Sequence, residues 1–452
     1  MRPIAGPIAT ILLAAAMSAP ARAAEPEWKA AADECRKVLA DLVAIDTSNP
    51  PGNELAAARY LERLLSGEGI ECRVFETAPG RGNLVARLKG DGTRRPLLLL
   101  GHLDVVGVDR AKWTSDPFAL VERDGYLYGR GAIDDKGMVA AEACVLLHLK
   151  RLGVPLARDV ILLAEGDEES GGDLGIAWML EKQRAAIEAE YALNEGGRTK
   201  LDPATGRVDW VALQTAEKRP VNYTLTATGQ SGHASMPRPD NCILALARAI
   251  ARAADPPFPV RLIPETRAFF AAVGAGDEAA RARDLMYDAM QRDTVSPTIV
   301  KGGFRSNVIP SSAEATLNVR LLPGSDPEEM RKALVARIAD PSVAVTYTPP
   351  TREEAPTVPF EGPVVEAVRR AAADVFPGAK VVPILSTGAT DSADLRRAGI
   401  KAYGLLPFPL ATEDAARMHG DDERLPVASL EPGLRLLYRV TVDVAGAGKR
   451  GD

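Results

Sequence analysis

Histidine and cysteine are scarce in this chain, with four of each among 452 residues. Cys35, Cys72, Cys144 and Cys242 are far apart and form no CxxC pair, which excludes a sulfur-rich structural zinc knot. In an exported protein four cysteines permit three full pairings, and sequence does not choose among them. Cys144 lies in MVAAEACVLLHLKRLG, which reads as a buried helix and therefore as a packed thiol. No basic stripe is present, and a formal charge of −6 with pI near 5.6 excludes a broad nucleic-acid surface. No GxGxxG follows a strand pattern and no Walker pattern exists, VGAGDE at 273–278 notwithstanding. GQSGH is not a GxSxG elbow, so no serine triad is expected.

Long apolar runs are also missing after the first 23 residues, none approaching the ~20 that a spanning helix needs. Those first residues read as a leader. Arg2 supplies a short positive start, Ile4 to Met17 an apolar stretch, and Ala21-Arg22-Ala23 small residues at a cleavage site. Export with cleavage after Ala23 is expected, to the periplasm or the medium, with no membrane anchor afterwards. Cleavage removes Arg2 and Arg22 and takes the formal charge from −6 to −8.

What is present alternates. Helical patterns at about 27–45 and 53–68 flank the turn-rich TSNPPGNE, and short apolar runs follow: NLVARL, PLLLLG, DVILLAEG and EYALNEG. With helical stretches at 137–152 and 173–184 between them, these predict an α/β sheet with parallel strands. From about Arg219 the order becomes βαββαβ, the ferredoxin-like α+β unit, with a helical excursion near 263–293. After TPPTREEAPTVP the α/β pattern resumes. The expected organisation is a discontinuous catalytic domain (24–218 and 351–446) with an inserted domain at 219–350, behind a leader at 1–23.

Three of the histidines sit in glycine-rich or acidic motifs: His102 in LLLLGHLD, His233 in GQSGHASMP and His419 in MHGDDER. Between the first two come Asp134 and Asp135 of GRGAIDDKG, Glu165, Asp167, Glu168 and Glu169 of EGDEESGG, and Glu195 of LNEGG. Imidazole and carboxylate are ligands that zinc accepts, and a sulfur-poor set is more typical of catalytic than of structural zinc. In parallel sheets ligands bind beyond the carboxyl ends of strands, and His102, Glu168 and Glu195 each follow an apolar run. His148, mid-helix, reads as structural.

GHLDVV, WTSDPF, YGRGAIDDKG, EGDEESGG, NEGG, GQSGHASMP, NVIP, GATDS and HGDDER, in this order, resemble the co-catalytic zinc peptidases. That family includes glutamate carboxypeptidase, aminoacylase, acetylornithine deacetylase and succinyl-diaminopimelate desuccinylase. The wording is most like the aminoacylase and vacuolar carboxypeptidase branch. The resemblance implies a phosphorylase/hydrolase-like catalytic domain with an inserted dimerisation (lid) domain. It implies two zinc ions per subunit, cobalt or manganese being acceptable to the same N/O set. His102 and Glu195 would hold one, Glu169 and His419 the other, and Asp134 would bridge them. Glu168 would be the general base, Asp104 would orient His102, and a cis bond would join Asp134 to Asp135. His233 would reach the oxyanion across a homodimer made by the inserted domain. Asn307 and Arg320 would bind a substrate carboxylate, and Gly388 and Thr390 would be further substrate-binding residues. The substrate so implied is a small peptide or an N-acyl amino acid, cleaved beside a free carboxylate.

Overall fold

The computed structural model describes residues 24–350 and 352–447, so the expected leader lies outside the described residues. A ten-stranded mixed sheet forms the centre. Strand Leu97–His102 lies between Val160–Glu165 and Tyr191–Asn194 and runs parallel to both. Lys401–Gly404 continues the parallel set beside Tyr191–Asn194. Leu97–His102, Val160–Glu165 and Tyr191–Asn194 are buried along their whole length, which is why each reads as a largely apolar run.

The NLVARL strand departs from the parallel expectation. Arg81–Leu88 pairs antiparallel with Val160–Glu165. It is the second arm of a hairpin with Glu71–Ala78, and a connection that short can only return the chain in the opposite direction.

Helices cover both faces. Trp28–Val43, Lys136–Arg151, Pro363–Val375 and Val427–Ala445 pack on one side in the main core. Ile176–Lys182 and Ser392–Arg397 contribute Ile176, Met179 and Leu395 to a second core on the other. Lys136–Arg151 is buried all round, as expected of a helix apolar on every face.

The segment from Arg219 builds a separate four-stranded antiparallel sheet, in the order Thr294–Gly302, Ser312–Leu321, Arg219–Thr228, Val343–Tyr347. With helices Cys242–Ala254 and Pro327–Ile338 it completes the βαββαβ pattern. Its central strands Arg219–Thr228 and Ser312–Leu321 alternate buried and open residues, so the helices cover a single face. The excursion at 263–293 does not join that core. Phe269, Phe270 and Met290 pack instead on Trp210, Ala212, Val382 and Ile384 of the central sheet.

All four cysteines are free thiols. No described helix is long and apolar enough to cross a membrane.

Candidate metal centre

Strand ends deliver the ligand-type side chains to one place. His102 closes its strand, Glu168 and Glu169 lie in the short helical turn after Val160–Glu165, and Glu195 directly follows Tyr191–Asn194. Asp134 comes from the loop ahead of Lys136–Arg151, and His419 from a turn at φ 62°.

Two groups form, each with its ligand atoms within 4.8 Å of one another: His102, Asp134 and Glu195, and Asp134, Glu169 and His419. Asp134 belongs to both. Its Oδ1 lies 3.1 Å from His102 Nε2, and its Oδ2 lies 3.1 Å from His419 Nε2. His419 Nε2 is also 3.2 Å from Glu169 Oε1. The Asp134–Asp135 peptide is cis, and Asp135 turns beneath the site to accept the His102 backbone N–H at 3.2 Å.

The electrostatics are those of a crowded anionic pocket. Burial, then the neighbouring Asp134 charge, pushes the Glu195 carboxyl well above the usual range. Burial and the Glu195 charge do the same to Glu168. Burial opposes protonation of His102, but hydrogen bonds to Asp104 and Asp134 raise it well above the usual imidazole value. His419 is pushed up to about 10 by its bonds to Asp134 and Glu169. Burial disfavours the Asp134 carboxylate, yet bonds from His102 and His419 hold it below the usual range. Two imidazoles and three carboxylates, one shared, are a donor set that fits two divalent cations of the zinc type. Glu168 belongs to neither group but lines the adjoining cavity.

Asp104 does more than face the histidine. His102 Nδ1 lies 2.9 Å from its backbone carbonyl and 3.6 Å from its Oδ1. The same carboxylate accepts the backbone N–H groups of Glu168 at 3.2 Å and Glu169 at 3.1 Å.

A cavity of about 700 Å³ opens beside this centre, lined by Glu168, Glu169, His419, Arg320, Gly388 and Thr390 among others. The Arg320 side chain donates to Asn318 Oδ1 at 2.9 Å, has no carboxylate partner among the described residues, and has its pKa lowered by burial. Thr390 Oγ1 donates to Glu217 Oε2 at 3.1 Å, and Gly388 N–H to Ser386 Oγ at 3.2 Å.

His233 and Asn307 are not brought to this cavity. They are exposed and adjacent to each other, where Gly232–His233 pairs with Val308–Ile309 and Ala234 N–H donates to the Asn307 carbonyl at 3.1 Å. His148, buried with its Nε2 3.4 Å from Glu34, lies apart from the centre.

Sequence reasoning missed Glu423. It lies within HGDDER and accepts the backbone N–H groups of Ile133 at 2.7 Å, Asp134 at 3.1 Å and Gly131 at 3.1 Å. The available signal was an acid in one motif facing an arginine in another: Arg130 Nη1 donates to Glu423 Oε2 at 2.6 Å.

Residues 98–443 match the model of Peptidase family M20/M25/M40. The chain belongs to this family. It is 29% identical over 385 residues to "Probable carboxypeptidase S-like 2" of Dictyostelium discoideum, covering 79% of this chain and 73% of that protein. It is 30% identical over 383 residues to "N-fatty-acyl-amino acid synthase/hydrolase PM20D1" of Xenopus tropicalis, covering 79% and 74%. Its fold is similar to that of an M20 family metallo-carboxypeptidase, Sso-CP2 of Sulfolobus solfataricus, with a TM-score of 0.68, 19% identity, and 91% and 99% coverage. The M20 protein is therefore a metal-dependent hydrolase acting on amide bonds, with an α/β catalytic part and an inserted sheet domain.

Proposed function

We propose that this hydrolase cleaves a peptide or N-acyl amino-acid amide next to a free carboxylate, as a carboxypeptidase- or dipeptidase-like enzyme with two zinc ions. The observation that carries this reading is the Asp134 carboxylate, with one oxygen toward each histidine and the unligated Glu168 beside it. His102 and Glu195 would hold one ion, Glu169 and His419 the other, and Asp134 both. When bound, such ions supply Lewis acidity and make a water acidic enough to ionise near neutral pH.

Glu168 then takes a proton from the attacking water and returns it to the leaving nitrogen. Its raised carboxyl pKa, caused by burial and by Glu195, suits a group that must both accept and release a proton. Asp104 fixes the His102 ring and, through two backbone N–H groups, the turn that carries the base. Arg320, a cation in the cavity wall without a carboxylate partner among the described residues, suits the substrate carboxylate, with Gly388 and Thr390 beside it.

His233 acts in trans on the developing oxyanion, with Asn307 as a further contact. The exposure of both, away from their own chain's cavity, supports a homodimer. So does the inserted sheet, whose edge strand Thr294–Gly302 has one partner strand and carries exposed Ile299 and Val300, with Phe304 just beyond. The domain division is taken at 24–218 with 351–446, and 219–350. Residues 1–23 support export.

The substrate is tested directly: C-terminal dipeptides and N-acyl amino acids are offered to zinc-loaded and chelated protein. Cleavage that requires a free carboxylate, disappears on chelation and returns with zinc is the expected result. Full activity below one metal per chain overturns the mechanism. Cleavage confined to N-acyl amino acids favours the deacylase reading that the relative from Xenopus tropicalis suggests by its name.

A further inference from the structure

The TSNPPGNE motif at 47–54 and Asp167 contribute nothing to the ligand groups, yet they meet directly behind the base. Asp167 has φ 77° and ψ 8°, a left-handed conformation that is uncommon outside glycine although aspartate adopts it more readily than most residues, and here its carbonyl and side chain are both held. Its carbonyl accepts the N–H groups of Ser170 at 3.2 Å and Gly172 at 2.7 Å, closing the turn that carries Glu168 and Glu169. Its side chain is anchored on both oxygens. Oδ1 accepts from Asn49 Nδ2 at 3.2 Å and Arg81 Nη2 at 2.9 Å, and Oδ2 from Leu174 N–H at 2.9 Å.

Arg81 is itself clamped. Its Nε and Nη2 donate to the two oxygens of Glu54 at 2.6 and 2.7 Å, and the Glu54 side chain is fully buried. The two hydrogens of Nη2 are thus divided between Glu54 and Asp167, a geometry that the planar guanidinium fork allows and an ammonium does not reproduce. Glu54 lies against the turn: a Cβ on Gly166 would come within 2.7 Å of Glu54 Cγ. Asn49 closes the circuit, because its Nδ2 also donates to Asp104 Oδ2 at 2.8 Å.

We propose that Arg81 is a positioning residue: clamped by Glu54, it holds Asp167 in the left-handed conformation and so aims the Glu168 carboxylate. It lies outside both ligand groups and does not line the cavity beside them. The inference rests on the reading of Glu168 as the base, and the experiment separates the two.

Arg81→Met is combined with Glu54→Gln, so that the fully buried Glu54 carboxylate is not left without its partner. Arg81→Lys and Asp167→Gly accompany it, glycine being free to take the left-handed turn without side-chain anchors. In metal-free protein, backbone amide exchange is read at Glu168, Glu169 and Leu174, with Leu97–His102 as the internal control. In zinc-loaded protein, kcat, KM and metal content are read. The double variant is expected to exchange about tenfold faster or more at the turn alone, and to lose about 10–100-fold in kcat with KM and two metals retained. Asp167→Gly added to it should cost less than Asp167→Gly costs alone, because the Arg81 contact that both remove is already gone. If the double variant does not fold, Arg81→Lys, which keeps the charge, should still show the kcat loss at unchanged KM.

Unchanged exchange and unchanged kcat overturn the proposal, as does a loss that is purely additive with Asp167→Gly. Faster exchange with unchanged kcat supports the anchoring and counts against Glu168 as the base, a reading that Glu168→Ala tests independently.

Discussion

The Glu423 carboxylate accepts the backbone N–H of Asp134 at 3.1 Å and lies four residues after His419. Its partner Arg130 donates through Nη2 to the Gly420 carbonyl at 2.9 Å. One buried ion pair therefore ties together the loop bearing the shared carboxylate and the turn bearing His419. Both members are almost fully buried, so breaking the pair leaves a charge without solvent or counterion.

Glu423→Gln is expected to destabilise the fold by about 3–5 kcal/mol, as removal of one partner of a buried pair does. It should also weaken metal affinity by about 10–100-fold, as loss of an outer hydrogen-bonding partner does. Denaturant unfolding and metal titration read the two effects. Wild-type metal affinity in the folded variant would show that the loop is held by other contacts.

Glu168 and Glu169 are neighbours with different expected losses. Glu168→Ala removes a carboxylate that belongs to neither ligand group, so two metals should remain while kcat falls at least ~10²-fold. Glu169→Ala removes a member of the His419 group and should lower metal occupancy. Metal analysis beside steady-state kinetics decides, and the opposite pattern would exchange the two roles.

The turn that separates those neighbours shows how far the sequence could be read. Strand-end logic brought His102, Glu168 and Glu195 together, because an apolar run followed by a polar residue marks where a buried strand leaves its sheet. Family resemblance added Asp134 and His419. Asp104 and Glu423 were not legible as holders of backbone N–H groups, since such bonds join segments far apart in sequence and leave no periodic trace. The same limit applied to the 263–293 excursion. Its apolar pattern predicted helix, but only the fold shows that Phe269 and Phe270 pack on the central sheet and not on the domain that encloses them in sequence.

Lys218 gives a pH prediction at the crossing between the two sheets. It is 1% exposed and donates to the carbonyls of Ala289 and Arg292 and to Thr294 Oγ1 at 2.9–3.0 Å, while burial pushes it down to about 8. An unfolded lysine titrates near ~10.4, so between about 8 and that value the unfolded chain binds the extra proton. Stability from this group therefore rises with pH across that window and is lost as pH falls through about 8, by up to ~1.4 kcal/mol per unit. Relative to Lys218→Met, the wild type should gain stability between pH 8 and 10 in denaturant melts. Parallel pH profiles would mean that the ammonium stays charged in its cage of carbonyls.

His233 is exposed, with its Nδ1 2.7 Å from Ser235 Oγ, and its strand pairs with Val308–Ile309 away from the cavity. If it serves the partner's site, His233→Ala should fold normally and bind two metals yet lose ~10²–10³-fold in kcat, as an oxyanion donor does. A histidine that only orders its own turn would instead lower the melting temperature and spare kcat. Mixing His233→Ala with Glu168→Ala under subunit exchange separates action in cis from action in trans. In trans, each heterodimer has one site with both groups intact, so activity should rise toward half the wild-type value per heterodimer. Demonstrated exchange without recovery would rule out the shared site while leaving the metal chemistry intact.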